Sequence, residues 1–217
     1  MIEFIHVYKY YKKEWPVLEE INLKIERGEF VFLTGKSGAG ESTLLYHIYM
    51  KEFPSSGYVI VDKMNSMAIR KKDIPVLRRK VGMIFQEFYL LNDRNVFENI
   101  ALPLKLAGFS KNEIRKRTLK ILAYTGLSHK MSEIPTFLSS GEKQRICIAR
   151  ALVNDPIVLL ADEPTGNLDS ENSNDVFQLL KNINVLGTAV IMATHNINLI
   201  EDMQYRRINL EHGRITP

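Results

Sequence analysis

The sequence predicts an α/β fold with a mostly parallel core sheet, an antiparallel β part and a helical insert. Residues 157–210 alternate between strand and helix patterns, which is typical of parallel strands joined by crossover helices. Residues 29–34 form a near-continuous apolar run, as in strands buried on both faces, and lead directly into a glycine-rich turn. Two alternating apolar stretches, 2–7 and 17–25, predict antiparallel strands joined by a polar aromatic loop at 8–15.

The remaining elements follow from hydrophobic periodicity. Residues 95–126 carry apolar side chains at helical spacing with basic residues on another face, and they predict the helical insert. Further strands are predicted at 58–61, 81–85, 157–161, 188–193 and 206–210, and further helices at 42–49, 141–153 and 172–182, with a short helix before the last strand.

Composition places the chain among ordinary globular proteins. It has 217 residues, 45% of them apolar, and a net charge of +4, which is too weak to argue for a nucleic-acid partner. No uncharged apolar run approaches the ~18 residues of a membrane-spanning helix, so we expect a protein that is soluble or peripherally attached to a membrane. The single cysteine, Cys147, lies in an apolar run and is expected to be a small buried side chain.

Residues 35–43, GKSGAGEST, match the phosphate-binding loop G-x-x-x-x-G-K-[ST] everywhere except at Glu41, where the pattern has lysine. The glycines would let backbone N–H groups surround a β-phosphate, and the next helix would point its positive end there. The Ser42 hydroxyl could bind Mg²⁺. Taken alone, an ordinary glycine-rich turn is the alternative.

Two further segments carry candidate chemistry. The apolar run 158–161 ends in Asp162 and Glu163, at the strand end where open α/β sheets bind ligands. Asp162 is suited to hold Mg²⁺ through its water shell, and Glu163 to polarise an attacking water as general base. Residues 138–142, LSSGE, open a helix and could form a second anion site. The alternatives are acids that merely cap a strand end and a plain N-cap.

The order of these features resembles that of ABC-type ATPases over essentially the whole chain. It runs from the phosphate loop through Gln86, LSSGE and the two acids to the sequence NLD at 167–169 and to His195. The resemblance implies a P-loop ABC-type nucleotide-binding domain that hydrolyses ATP with Mg²⁺. It also implies a single domain over 1–217, in which 1–86 and 157–217 form the core with its antiparallel part, and 87–156 form the helical subdomain and the signature helix.

The resemblance further assigns roles to residues. Glu163 would be the general base, His195 would contact the γ-phosphate, and Gln86 would sense Mg²⁺ and water, which makes these three catalytic. Tyr11 would stack on adenine, although Tyr8 or Tyr10 could do so instead. The residues expected at Mg²⁺ are Ser42, Gln86 and Asp162. Those expected at the nucleotide are Tyr11, Gly35, Ser37, Gly38, Ala39, Gly40, Glu41, Ser42, Thr43, Ser139, Gly141, Asp162 and Asp169.

In this family the LSSGE segment faces the nucleotide of the other subunit, so the resemblance implies a homodimer that sandwiches two ATP molecules, with Asp169 organising the seam. The stretches 77–82, 90–100 and 161–169 look most like the family's bacterial cell-division members. Those members work with a polytopic membrane protein that controls cell-wall hydrolases, which implies a cytoplasmic chain, peripheral on the inner face of the membrane. Members that drive lipoprotein release or macrolide efflux share the DEPTGNLD run at 162–169 and are the alternatives.

Two positions depart from the family pattern. Glu41 replaces the lysine that faces the phosphates. A unit charge pair at ~4 Å is worth about 4 kcal/mol at an effective dielectric near 20, so reversing the charge could cost up to roughly 8 kcal/mol. Lys36 in the same loop could compensate. Ser140 in place of a glycine is a milder change. The sequence therefore predicts impaired hydrolysis, and a non-hydrolysing scaffold of the same fold is the alternative.

Overall fold

The computed structural model describes residues 1–12, 15–196, 200 and 204–216, and it confirms the α/β architecture. The strands are β1 (Ile2–Lys12), β2 (Trp15–Ile25), β3 (Phe30–Gly35), β4 (Ser56–Val61), β5 (Met64–Asn65), β6 (Val81–Ile84), β7 (Val158–Asp162), β8 (Ala189–Ala193), β9 (Arg206–Glu211) and β10 (Arg214–Thr216). The α-helices are α1 (Glu41–Ile48), α2 (Ile74–Lys80), α3 (Val96–Leu106), α4 (Lys111–Tyr124), α5 (Ser140–Leu152) and α6 (Ser170–Val185).

The core sheet brings the ends of three sequence-distant strands together. Its order is β10-β9-β3-β8-β7-β6, and all its neighbours are parallel except β10 and β9. The residues of β7 and β8 are all buried, which explains their continuous apolar sequences. Leu33 and Asp162 both pair with Ala193, so the carboxyl ends of β3, β7 and β8 lie level at one edge. Ligands of open α/β sheets bind at this edge.

The N-terminal sheet has the order β2-β1-β4-β5 and is antiparallel. The expected loop at 8–15 was wrong, because β1 continues to Lys12 and β2 begins at Trp15, with Lys9 opposite Leu18. The aromatic residues are strand residues: Tyr8 and Tyr10 lie on one face with their rings stacked 6.4 Å apart.

The predicted helical insert is present and consists of two helices. Helix α3 ends before Gly108, whose φ of +82° is favourable for glycine, and α4 begins after Ser110, whose side chain caps its first turn. The structure also contains α2, β5 and β10, which the sequence patterns did not predict. The short helix predicted before the last strand falls largely outside the described residues.

Cys147 is buried as expected, and burial raises the pKa of its thiol to about 11. Among the described residues, no helix is both long and apolar enough to cross a membrane.

One bulge fixes the pairing of β1 with β4. Between the pairs Ile5–Tyr58 and Tyr8–Ser56, β1 contains one residue more than β4, and His6 adopts a left-handed φ of 46° there. Gly57 lies opposite with a φ of +71°, and a Cβ on it would overlap the His6 carbonyl. A side chain at this position would therefore force the two strands apart.

We expect Gly57→Ala to destabilise the fold by about 3 kcal/mol, from backbone strain together with the overlap. Thermal unfolding measures this as a melting temperature lower by roughly 6–12 °C for a chain of this size. Gly108→Ala is the matched control, because Gly108 has a similar φ of +82° but nothing within 4 Å of its Cβ position. Equal losses in the two variants would show that the close approach at Gly57 contributes nothing.

Candidate nucleotide-binding site

The phosphate loop connects β3 to α1 at the sheet edge. It is closed by the Ala39 N–H, which donates to the Lys36 carbonyl at 2.8 Å. Gly40 has a φ of +114°, and a Cβ on it would lie 2.8 Å from the Val17 carbonyl oxygen. Only glycine fits this path, which leads directly into the first turn of α1. The N–H groups of that turn lack helical acceptors and are available to an anion.

Glu41 is the first residue of α1, and its side chain is buried, with 9% of its surface exposed. Its Oε1 has no hydrogen-bond partner among the described residues and lies 3.9 Å from His195 Nδ1. The same oxygen lies 2.6 Å from where a Cβ of Gly35 would be. Lys36 is exposed and forms no ion pair with Glu41 in the described structure, so it does not compensate the charge there. A buried carboxylate thus lies beside a loop shaped for anions.

Ser42 and Asp162 form the oxygen pair expected at a magnesium site. The Ser42 hydroxyl donates to Asp162 Oδ1 at 2.9 Å. Burial raises the pKa of Asp162, the bond from Ser42 opposes that rise, and the negative charge of Glu41 adds to it. Oxygen donors of this kind fit Mg²⁺, which is usually bound by one or two carboxylates together with substrate phosphates. Within the described ranges no group of three or more acids, histidines or cysteines could hold a metal by itself.

Glu163 and His195 meet beside this pair. Glu163 follows β7 with a left-handed φ of 47°, and its N–H donates to the Ala193 carbonyl at 3.1 Å. His195 Nδ1 donates to the Gly35 carbonyl at 2.8 Å, and its Nε2 lies 3.4 Å from Glu163 Oε1. Burial raises the pKa of Glu163, while His195 opposes the rise. Both side chains line a cavity of about 450 Å³, and a carboxylate of raised pKa suits a general base.

Two predicted site residues lie on exposed positions outside this cluster. Tyr11 is a residue of β1 and is 55% exposed, with Lys9 Nζ 5.0 Å from its ring centre. Gln86 was expected to end a buried strand, but β6 ends at Ile84 and Gln86 lies two residues beyond, on an exposed turn. The strand is shorter than predicted because its pairing with β7 ends at the pair Ile84–Ala161.

The LSSGE and NLD segments form the N-termini of α5 and α6. Ser139 caps α5, with its Oγ accepting from the Glu142 N–H and its own N–H donating to Glu142 Oε2. Asp169 caps α6 by accepting from the Asn172 N–H at 2.8 Å. Both are exposed, and neither cap bonds to the phosphate loop. Within a single chain, Ser139 and Asp169 therefore act as ordinary N-caps of their helices.

The sequence analysis missed two residues that hold predicted site segments in place, Arg150 and Asn172. Arg150 of α5 donates to the carbonyls of Phe88 and Tyr89, each at 2.7 Å, and so holds the chain that follows Gln86. Asn172 donates its side-chain N–H to Asp169 Oδ2 at 2.7 Å. The sequence signal for Asn172 is a polar residue three positions after an N-cap, whereas nothing in the sequence indicates the contacts of Arg150.

Comparison with known proteins bears directly on this arrangement. The family model described as "ABC transporter" matches residues 18–166. The cell division ATP-binding protein FtsE of Escherichia coli K12 is 46% identical over 215 residues, which are 99% of this chain and 97% of the relative. FtsE of Bacillus subtilis 168 is 45% identical over 215 residues, or 99% of this chain and 94% of the relative.

Solved structures agree with the sequence comparison. The dimeric post-hydrolysis structure of the ATP-binding cassette MJ0796, bound to ADP and Pi, superposes with a TM-score of 0.89. It is 36% identical, and the match covers 100% of this chain and 97% of the other. A second dimeric structure of MJ0796, a bacterial ABC transporter cassette, gives a TM-score of 0.90 at 37% identity, with the same coverage. The chain therefore belongs to the ABC transporter family of ATPases.

Proposed function

We propose that this chain is the ATP-binding subunit of a bacterial cell-division complex, in which it acts on a polytopic membrane protein similar to FtsX that controls cell-wall hydrolysis. The similarity to FtsE proteins over 99% of the chain carries this proposal. In such a complex the chain would be cytoplasmic and peripheral on the membrane. A lipoprotein-release or macrolide-efflux subunit is the alternative because those members share the DEPTGNLD run, whereas the stretch DRNVFENI at 93–100 favours cell division.

The cluster at the strand ends supports ATP as ligand. The loop 35–43 would surround the β- and γ-phosphates, while Ser42 and Asp162 would hold Mg²⁺. Gln86, which is exposed outside this pair, would join them only when nucleotide is bound. Bound Mg²⁺ would neutralise charge that develops on the transferred phosphoryl group. Glu163 would take a proton from the attacking water. His195, held by the Gly35 carbonyl, would keep Glu163 oriented and contact the γ-phosphate.

Glu41 is the feature that opposes this activity. Three carboxylates, Glu41, Asp162 and Glu163, would lie around the γ-phosphate. His195 lies 3.9 Å from Glu41 and 3.4 Å from Glu163, and the charge of Lys51 acts on Asp162. Repulsion between Glu41 and the phosphates would weaken binding and leave the transition state without the usual lysine. We therefore propose that hydrolysis by this chain is impaired, and that its carboxylates are those of an otherwise complete enzyme. Glu41 is also the observation that favours the second candidate, a non-hydrolysing scaffold of the same fold.

We expect the chain to hydrolyse ATP near background and Glu41→Lys to raise turnover at least about a hundredfold, or about 2.7 kcal/mol of barrier. A phosphate-release assay on the two purified proteins measures this. Glu41→Lys combined with Glu163→Gln is the control, because it restores the charge and removes the base. Brisk hydrolysis by the chain with Glu41 would contradict the proposal, and a Glu41→Lys protein without turnover would favour the scaffold.

The exposed helix termini support a composite site between two chains. Ser139 lies at the exposed N-terminus of α5, and a nucleotide held by a second chain could accept hydrogen bonds from N–H groups of the first turn of that helix. Asp169 lies at the neighbouring N-terminus of α6. The two matched MJ0796 structures are dimeric, which is the arrangement that we propose for this chain.

We expect a protein carrying both Glu41→Lys and Glu163→Gln to dimerise when ATP and Mg²⁺ are added. Removal of the general base should trap two nucleotides between the chains, because hydrolysis no longer releases them. Light scattering during size-exclusion chromatography reports the mass directly. ADP serves as the matched control, because it lacks the γ-phosphate that would bridge to Ser139. A monomer at saturating ATP would argue against the composite site.

The segment after Gln86 supports a docking surface for the membrane partner. Tyr89 is 60% exposed and packs edge-on against Phe85, which in turn contacts Tyr46 and Tyr49. Phe88 and Leu90 are half-buried and pack against the core below. We therefore propose Tyr89 as the anchor for a cytoplasmic helix of the partner, and 87–156 as the helical subdomain that carries it. Because Gln86 precedes this segment, a shift of Gln86 on ATP binding would move the surface.

We expect Tyr89→Ala to weaken the complex with an FtsX-like partner at least about tenfold, as for an anchor residue at an interface. Co-purification from membranes measures the loss, and the melting temperature of the isolated chain should stay within about 3 °C. Tyr124→Ala is the control, because Tyr124 is partly exposed on α4, away from this segment. Unchanged partner binding, or an unfolded Tyr89→Ala chain, would exclude Tyr89 as the anchor.

A further inference from the structure

The N-termini of α5 and α6 meet through a close contact at Gly141. Gly141 is buried in the first turn of α5, and a Cβ on it would overlap Asn172 Oδ1 and lie 2.8 Å from Asn172 Cγ. The carboxamide of Asn172, in the first turn of α6, thus packs directly on the α5 backbone. A larger residue at 141 would force the Asn172 carboxamide out of this position.

Asp169 holds this carboxamide in place. One oxygen of Asp169 accepts from the backbone N–H of Asn172 at 2.8 Å, and the other accepts from its side-chain N–H at 2.7 Å. These bonds lower the pKa of Asp169, which stays ionised as the cap of α6. The side-chain amide is therefore fixed with its nitrogen toward Asp169 and its oxygen toward Gly141.

A second contact lies one turn further along both helices. Arg145 of α5 and Asp175 of α6 form an ion pair at 2.6 Å. Both side chains are partly exposed, so this pair contributes little by itself. Together, these two contacts hold α5 and α6 side by side, and we call them the α5–α6 seam. The seam consists of residues 141 and 145 of α5 and residues 172 and 175 of α6.

We propose that Asn172 is a positioning residue that connects Asp169 to the signature helix and sets the orientation in which Ser139 is presented to a partner chain. This inference rests on the dimeric site proposed above. The Asn172 amide suits the role because it offers a donor to Asp169 and a flat oxygen edge to Gly141. Alanine at 172 has no side-chain amide, so it removes the contact that supports the first turn of α5. The N-cap residues of both helices, Ser139 and Asp169, are unchanged in this variant.

Hydrogen exchange of the nucleotide-free monomer tests the positioning directly. The Glu142 and Lys143 amides are bonded to Ser139, and we expect Asn172→Ala to make them exchange at least about tenfold faster. The melting temperature should change by no more than about 3 °C. Asn174→Ala, an exposed position on the same helix, is the matched control and should leave both readouts unchanged. Unchanged exchange in Asn172→Ala would overturn the inference.

A double-mutant cycle tests the contact itself. Gly141→Ala should lower the melting temperature by about 3–8 °C in the natural sequence, because its Cβ meets Asn172. In the Asn172→Ala background the same substitution should cost less than half as much. Equal costs in the two backgrounds would show that Asn172 does not limit the packing at Gly141, against the inference.

The consequence for assembly is measured in the Glu41→Lys, Glu163→Gln protein. Adding Asn172→Ala should raise the dissociation constant of the ATP-bound dimer about tenfold, and adding Asn174→Ala should not. Equal dimer affinity for both would contradict the role of Asn172. If the parent protein itself stays monomeric, the proposed composite site fails, whereas the exchange and double-mutant measurements still decide whether Asn172 positions α5.

Discussion

A carboxylate buried beside an anion-binding loop is the constraint on which the rest of this structure depends. The loop at 35–40 and the first turn of α1 offer backbone N–H groups to a negative ligand, yet the first side chain of that helix is Glu41. Its Oε1 is unsatisfied within the described structure, and its charge contributes to the raised pKa of Asp162 and of Glu163. The loop thus has the shape of the phosphate site that we propose, and the charge of Glu41 would oppose phosphate there.

The fold explains why the charge of Glu41 acts on several groups that are distant in the sequence. The carboxyl ends of β3, β7 and β8 are level, so the loop, the acids and His195 share one edge of the sheet. His195 links this edge to the loop through the Gly35 carbonyl. The surfaces that we propose for partners lie on two other segments, the chain after Gln86, which Arg150 holds, and the contact between α5 and α6.

The sequence predicted the parts of the fold whose patterns are local and missed those that depend on pairing. The apolar strands and the loop at 35–40 could be recognised because burial and glycine leave direct traces in the sequence. The extent of β1 could not, since Tyr8 to Lys12 look polar and become strand only by pairing with β2 and, at Tyr8, with β4. Helix α2 was missed because it has only seven residues, buries only Leu77 and ends in three basic residues, although Pro75 suits its first turn. At the site, the role of Asn172 arises from contact with Gly141, 31 positions away, which no periodicity encodes.

The most direct test of the account is the nucleotide affinity of a charge series at position 41. Isothermal titration with Mg²⁺-ADP would compare the natural sequence with Glu41→Gln and Glu41→Lys. Gln keeps the shape of the side chain and removes its charge, whereas Lys restores attraction to the phosphates. If the buried charge opposes phosphate, the affinity for Mg²⁺-ADP should rise about tenfold or more from Glu41 to Glu41→Gln, and again from Glu41→Gln to Glu41→Lys. Each tenfold rise corresponds to about 1.4 kcal/mol, which is within the range of a single charge interaction. Equal affinity of the natural sequence and Glu41→Gln would contradict the account.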